Sequence, residues 1–168
     1  MKTSVRGIQR YWTLSSRQRR DLNKALVLIP VVAVALRIGR FGAVVTTLER
    51  TSRREMNMRR PIATPEEARA LAEMVTLASD HGLVRGNCLH RSLVTWWLLR
   101  RRGAPAVVRL GAGRVLNQNM GFHAWVECDD QVVNDKPDIA LFFAAFPIDA
   151  ISRTRLHPTH IESTYPAA

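Results

Sequence analysis

The sequence predicts an α+β domain in which several helices precede one further helix packed on a small antiparallel sheet. Three observations lead there. Up to about residue 102 apolar residues recur at helical spacing; beyond it, short runs such as residues 106–110 and 122–127 take over, bounded by Gly, Asn and Asp. Two helix starts are written in capping residues, Thr64-Pro65 with Glu67, and Asn87 before Cys88. The 168 residues are 46% hydrophobic and 23% charged, globular values that allow roughly 70% of the unfolded chain's surface to be buried.

The elements follow in order. Residues 1–13 are basic, with Tyr11 and Trp12 as anchor candidates. Ser15 or Ser16 caps a helix from about Arg17, whose apolar stretch at residues 25–36 is twelve residues long, short of the roughly 18–20 that cross a bilayer. Pro30 is expected to kink or split it into a helical hairpin. Gly39 ends it, residues 41–50 read as a short helix, and residues 53–60 as a basic linker. The helix from Thr64 carries Ala68, Leu71, Ala72 and Val75 on one side and stops at His81-Gly82. The helix from Cys88 to about Arg102 carries Leu89, Leu93, Trp96, Trp97 and Leu98, and Arg100, Arg101 and Arg102 complement its dipole. Residues 106–110, 122–127 and 131–135 read as strands, with residues 111–121 as a long connection. Residues 139–151 close the core, and the end of the chain is a tail. The resulting division is 1–62, a basic helical segment; 63–151, the core; and 152–168, the tail.

Charge is distributed unevenly. Residues 1–60 hold 14 basic and 3 acidic residues, and the remaining 108 hold 11 of each, so the whole net charge of +11 lies in the first third. Such a field suits nucleic acid, an anionic membrane surface or an acidic partner; a solvated helix face explains it equally. Two cysteines make no disulfide framework, and no stretch has the layout of a secretory signal, so a reducing cytoplasm is expected. No Gly-rich phosphate loop is present.

Chemistry concentrates in one order of residues: a cysteine at a helix start, a histidine on a strand, and an acid after the next strand. At a helix N-terminus Cys88 meets the positive end of the dipole and unpaired backbone N–H groups, which favour thiolate and supply part of an oxyanion hole. His123 is placed to carry protons, and Asp135 to fix its tautomer. Direct cross-strand pairing of His123 with Asp135, twelve residues apart, puts Glu127 opposite Gln131 and requires a three-residue loop, Cys128-Asp129-Asp130, with Asp130 left-handed. A two-residue loop would turn the two side chains to opposite faces. Other readings stand beside this one. Cys88 can be an inert core thiol, His123 a core histidine, and Asp135 a strand end; Asp138 is its rival beyond Pro137. Cys88, His90, His123 and Cys128 are a zinc alternative without CxxC or HxxxH spacing. Arg91 and Ser92 are supporting candidates.

The segment Gly86-Asn87-Cys88-Leu89-His90-Arg91-Ser92-Leu93, the Leu-Leu-Arg-Arg-Arg-Gly run at 98–103, the His123–Glu127 block and Asp135 resemble the lasso-peptide leader peptidases, which are transglutaminase-like, papain-related cysteine peptidases. Leu14-Ser15-Ser16-Arg17-Gln18-Arg19-Arg20 and Arg37-x-Gly39-Arg40-Phe41 extend the likeness, which covers about residues 11–138. The resemblance implies a papain-like fold and cleavage of the leader from a ribosomal precursor peptide, with Cys88 as nucleophile, His123 as base and acid, and Asp135 as orienter. It implies no metal and no organic cofactor. Its partners are the precursor's leader, a separate leader-recognition protein, since the first 60 residues read as helices rather than that element's strands, and the lasso cyclase as a further candidate. Nucleic acid is not among them, and membrane contact is a secondary option. Asp130 departs from the family's turn glycine. A related acyltransferase using the same triad, and a non-enzymatic basic adaptor, are the competing functions.

Overall fold

The computed structural model describes residues 13–56, 64–114 and 120–146. The expectations for Tyr11 and Trp12, for most of the linker and for the tail lie outside them.

Helix α1 (Ser16–Ile38) begins in a reciprocal cap: Ser15 Oγ accepts from the Gln18 N–H and the Gln18 side chain accepts from the Ser15 N–H. Pro30 neither splits nor ends it; the helix runs through all 23 residues. A proline inside a helix costs about 3 kcal/mol. Here the stripe Leu22, Ala25, Ile29, Val32 and Leu36 is buried on both sides of Pro30. Each fully buried aliphatic contributes about 1.5–3 kcal/mol, enough to offset that cost. Helix α2 (Phe41–Met56) extends six residues beyond the expected end, into the basic cluster. It is tied to the later helix through Thr51 Oγ1, which accepts from Trp97 Nε1 at 2.9 Å, so Trp97 is half-buried rather than core. Helix α3 (Pro65–His81) starts at the expected cap, Thr64 Oγ1 taking the Glu67 N–H, while the Glu67 carboxylate pairs with Arg17 of α1.

Helix α4 (Cys88–Arg100) is central. It packs against α1, α2 and α3 on one side and the sheet on the other, which explains why nine of its thirteen residues are buried. Its end is fixed by the part-buried ion pair of Arg102 with Asp21 of α1.

The sheet has four antiparallel strands in the order β3-β2-β1-β4: β1 (Ala106–Arg114), β2 (Met120–Cys128), β3 (Gln131–Val132) and β4 (Ala144–Phe146). β1 and β2 pair along their full length, from Ala106 opposite Cys128 to Arg114 opposite Met120. Most of residues 111–121, expected as a connection, is therefore strand. Gly111 and Gly113 are strand residues, and each meets a crossing chain. A Cβ on Gly113 would lie 2.0 Å from the Phe142 carbonyl oxygen, and one on Gly111 3.0 Å from Phe143 and Trp125. Glycine is there so that the short helix α5 (Ile139–Phe142) and the start of β4 can lie against β1.

The β2–β3 hairpin corrects the expected register. Cys128 faces Gln131 and Glu127 faces Val132 around a two-residue loop. Asp129 and Asp130 both have positive φ, 50° and 58°, as a tight hairpin turn requires. Cys128 is thus the last strand residue, buried, rather than part of the loop. Among the described residues no helix is long and apolar enough to cross a membrane.

Candidate active site

The candidate site is built from the start of α4, strand β2 and the bend that follows β3. Asn87 caps α4 reciprocally with His90: Asn87 Oδ1 accepts the His90 N–H, and His90 Nδ1 accepts the Asn87 N–H, both at 3.1 Å. The preceding turn is held by Ser79, whose Oγ donates to the Gly86 carbonyl and accepts its N–H. Cys88 is thereby the first helical residue, where its N–H has no intrahelical acceptor.

One turn along the same face, Ser92 Oγ donates to the Ala124 carbonyl at 2.8 Å. This bond brings the Cys88 end of α4 against the strand position next to His123. The imidazole is 6% exposed; its Nε2–H donates to Asp135 Oδ2 at 2.7 Å, and Cys88 lies close enough to act on its protonation. With Nε2 on the carboxylate, Nδ1 is left for the sulfur. The three sequence-predicted residues are therefore brought together, whereas Asp138 stands apart at the start of α5.

The two-residue hairpin predicts the opposite, and the reason it does not matter is Asn134. The ladder continues only to Val133, whose N–H reaches the Val126 carbonyl at 3.0 Å. The Val126 N–H, which an uninterrupted ladder would give to a backbone carbonyl, goes instead to Asn134 Oδ1 at 2.7 Å. Asn134 Nδ2 donates to Ser92 Oγ at 2.9 Å. The chain bends at residues 133–135, parity is lost, and Asp135 arrives at His123. Sequence reasoning singled out Ser92 but not Asn134. Its only signal was an amide next to the acid at the end of a strand, where a side chain can replace the backbone.

The walls are aromatic. Trp125 stacks 6.4 Å from His123 at 17°, and Phe143 lies 5.1 Å from it at 31°. Trp125 is itself held by Glu127, which accepts from its indole N–H at 2.9 Å and from Arg109 at 2.8 Å.

Burial pushes the His123 imidazolium down, but the hydrogen bonds to Asp135 and Cys88 and the charges of both outweigh it, raising the pKa to about 9. Burial pushes Asp135 up, yet the hydrogen bonds from His123 and the Lys136 N–H, with the charges of His123 and Arg91, hold it below the usual carboxylate range. Burial lowers His90, which suits its role as a neutral acceptor. The zinc alternative is not assembled: Cys128 lies five strand residues from His123, roughly 16 Å along β2, and His90 Nδ1 is engaged in the cap. A groove of about 700 Å³ between the start of α1 and α3 reaches Asn134 and Asp135 but is lined by neither Cys88 nor His123, so it lies beside the site rather than over the sulfur.

A cysteine at a helix start beside a strand histidine that is hydrogen-bonded to an aspartate is the arrangement that papain-like thiol enzymes use. The model of the transglutaminase-like superfamily matches residues 25–145, and the chain belongs to that superfamily. No curated protein and no solved structure matches it.

Proposed function

We propose that the protein is a cysteine peptidase that removes the leader from a ribosomally synthesised lasso-peptide precursor. The observation that carries the enzymatic part is the hydrogen bond of His123, on β2, to Asp135, in the bend after β3, with Cys88 at the start of α4 beside them. The substrate follows from the resemblance of residues 86–93, 98–103 and 123–127 to the leader peptidases.

The chemistry follows from the geometry. At neutral pH His123 is an imidazolium, and the reactive form of the Cys88 side chain beside it is the thiolate. The sulfur attacks the scissile carbonyl carbon, and the oxyanion forms near the Cys88 N–H. His123 gives its proton to the leaving nitrogen, the C–N bond breaks, and the core peptide departs as a free amine. The leader remains as a thioester. Water attacks it, His123 takes the proton, the C–S bond breaks, and the leader leaves with a new carboxylate. Asp135 keeps the imidazole in one orientation throughout.

A recognition protein presenting the leader is the expected partner, with the cyclase next in line for the new amine, and the reduced thiols Cys88 and Cys128 fit the cytoplasm. One observation favours the acyltransferase reading: Cys88 is 2% exposed and its histidine lies between Trp125 and Phe143, a dry setting that suits an amine acceptor. Incubation of the purified chain with precursor peptide and recognition protein, followed by mass spectrometry, decides between them. A free leader carboxylate that disappears with Cys88→Ala supports the peptidase; a new amide means acyl transfer; cleavage retained in Cys88→Ala removes both.

A further inference from the structure

Helix α1 is apolar on two opposite sides. At about 100° per residue, Leu22, Ala25, Ile29, Val32 and Leu36 form the buried stripe, and Val27, Val31, Val34 and Ile38 fall on the other side. The outer four are 63%, 56%, 56% and 84% exposed. They continue a line that holds Arg20 and Lys24 towards the helix start, and Arg37 and Arg40 flank its end, all four exposed. Between Thr13 and Leu48 the only acidic residue is Asp21, which is buried and paired with Arg102. The face is thus an aliphatic strip with cations at both ends and, within residues 13–48, no exposed carboxylate. The turn after α3 borders it, since a Cβ on Gly82 would lie 3.3 Å from Leu26 Cδ2, and adds Leu83, 99% exposed, and Arg85.

We propose that this outer face of α1 rests on an anionic lipid surface, with Val27, Val31, Val34 and Ile38 in the interfacial layer and Arg20, Arg37 and Arg40 among the headgroups. The chemistry of the face selects this occupant. A second copy would set cations against cations. A stable protein partner wants roughly 800 Å² per side with aromatic anchors, and this strip is about 17 Å long and wholly aliphatic. An amphipathic face of β-branched residues with a cationic rim matches an interface of lipid with negative headgroups. The helix lies along such a surface and does not cross it.

The test is co-sedimentation of the full chain with vesicles of phosphatidylcholine plus phosphatidylglycerol, against phosphatidylcholine alone. Binding is expected to the anionic vesicles only, and to fall with salt. Arg37→Gln with Arg40→Gln should weaken it by up to about 30-fold, since each cation near such a surface contributes about a five-fold factor. Val31→Glu with Val34→Glu should abolish it; Val31→Ser with Val34→Ser, a milder pair, should weaken it, and circular dichroism checks that both pairs fold. None of these residues belongs to the proposed catalytic set, so leader cleavage in solution should persist in every variant. Absence of binding to anionic vesicles, equal binding to neutral ones, or undiminished binding by the glutamate pair overturns the proposal. Capture of the recognition protein through these same valines, without vesicle binding, would reassign the face to a protein.

Discussion

Asn134→Ala is the most informative single change, because one side chain supplies both the end of the β2–β3 ladder and the link to α4. Two bonds are lost. Val126 is fully buried, and its N–H has Asn134 Oδ1 at 2.7 Å as acceptor. Leaving that donor unsatisfied costs about 1–3 kcal/mol. The Asn134 to Ser92 bond at 2.9 Å contributes about 0.5–1.5 kcal/mol more, while Ser92 keeps its bond to Ala124. The expected loss is roughly 2–4 kcal/mol, read by urea unfolding followed through tryptophan fluorescence, with the m-value unchanged. Catalysis should suffer separately. Asp135 no longer has a fixed approach to His123, so the alkaline limb of the pH–rate profile, set by His123 at about 9, should move down towards its ordinary 6.5. Asn134→Asp retains the acceptor for Val126 but not the donor to Ser92, and should fall between wild type and alanine in stability. A loss below about 0.5 kcal/mol in Asn134→Ala would refute the clamp. A normal loss of stability with an unmoved pH profile would refute its link to Asp135.

Other outcomes follow from the same coordinates. Cys128→Ala should cost roughly 1 kcal/mol of stability, because the thiol is buried in the main core, and leave cleavage intact; a loss of activity matching Cys88→Ala would revive the metal reading. Asp135→Asn should lower kcat by roughly 10²-fold or more while Asp138→Asn leaves it near wild type, measured on the same precursor. Gly113→Ala should unfold the β1 crossing, since its methyl would lie 2.0 Å from the Phe142 oxygen, and a normal melting temperature would contradict that packing. The His123–Asp135 pair also sets a pH window for stability. His123 is raised, so its contribution is complete below pH 6.5 and lost as pH rises through about 9; Asp135 is lowered, so its contribution is present above pH 3.8 and lost as pH falls through its folded value. The stability gap between wild type and Asp135→Asn should therefore be wide at pH 7 and narrow at pH 10, and a constant gap would count against the pair.

What the sequence disclosed and what it hid divide along a physical line. Thr64, Ser15 and Asn87 announce helix starts because a cap is a bond between neighbours three residues apart, and neighbours are visible in one dimension. The Cys88, His123 and Asp135 set could be named from their order along the chain. The continuity of α1 through Pro30 and the strand at Gly111–Gly113 are not legible locally because distant partners decide them: the stripe around Pro30 is buried on both sides, and the crossing chain at residues 142–144 requires glycine in what is a strand. The hairpin is the sharper case. Parity counting is sound only while the ladder lasts, and this ladder is two paired residues long before Val133 closes it. Beyond that point a side-chain amide stands in for a backbone carbonyl, and a substitution of that kind has no parity. The correct pair was therefore reached from an incorrect register: closeness of His123 and Asp135 is imposed by Ser92 and Asn134 from the α4 side, not by strand pairing. It follows that the helix bearing Cys88 also sets the distance between the other two members, so a change that tilts α4 should disturb all three at once.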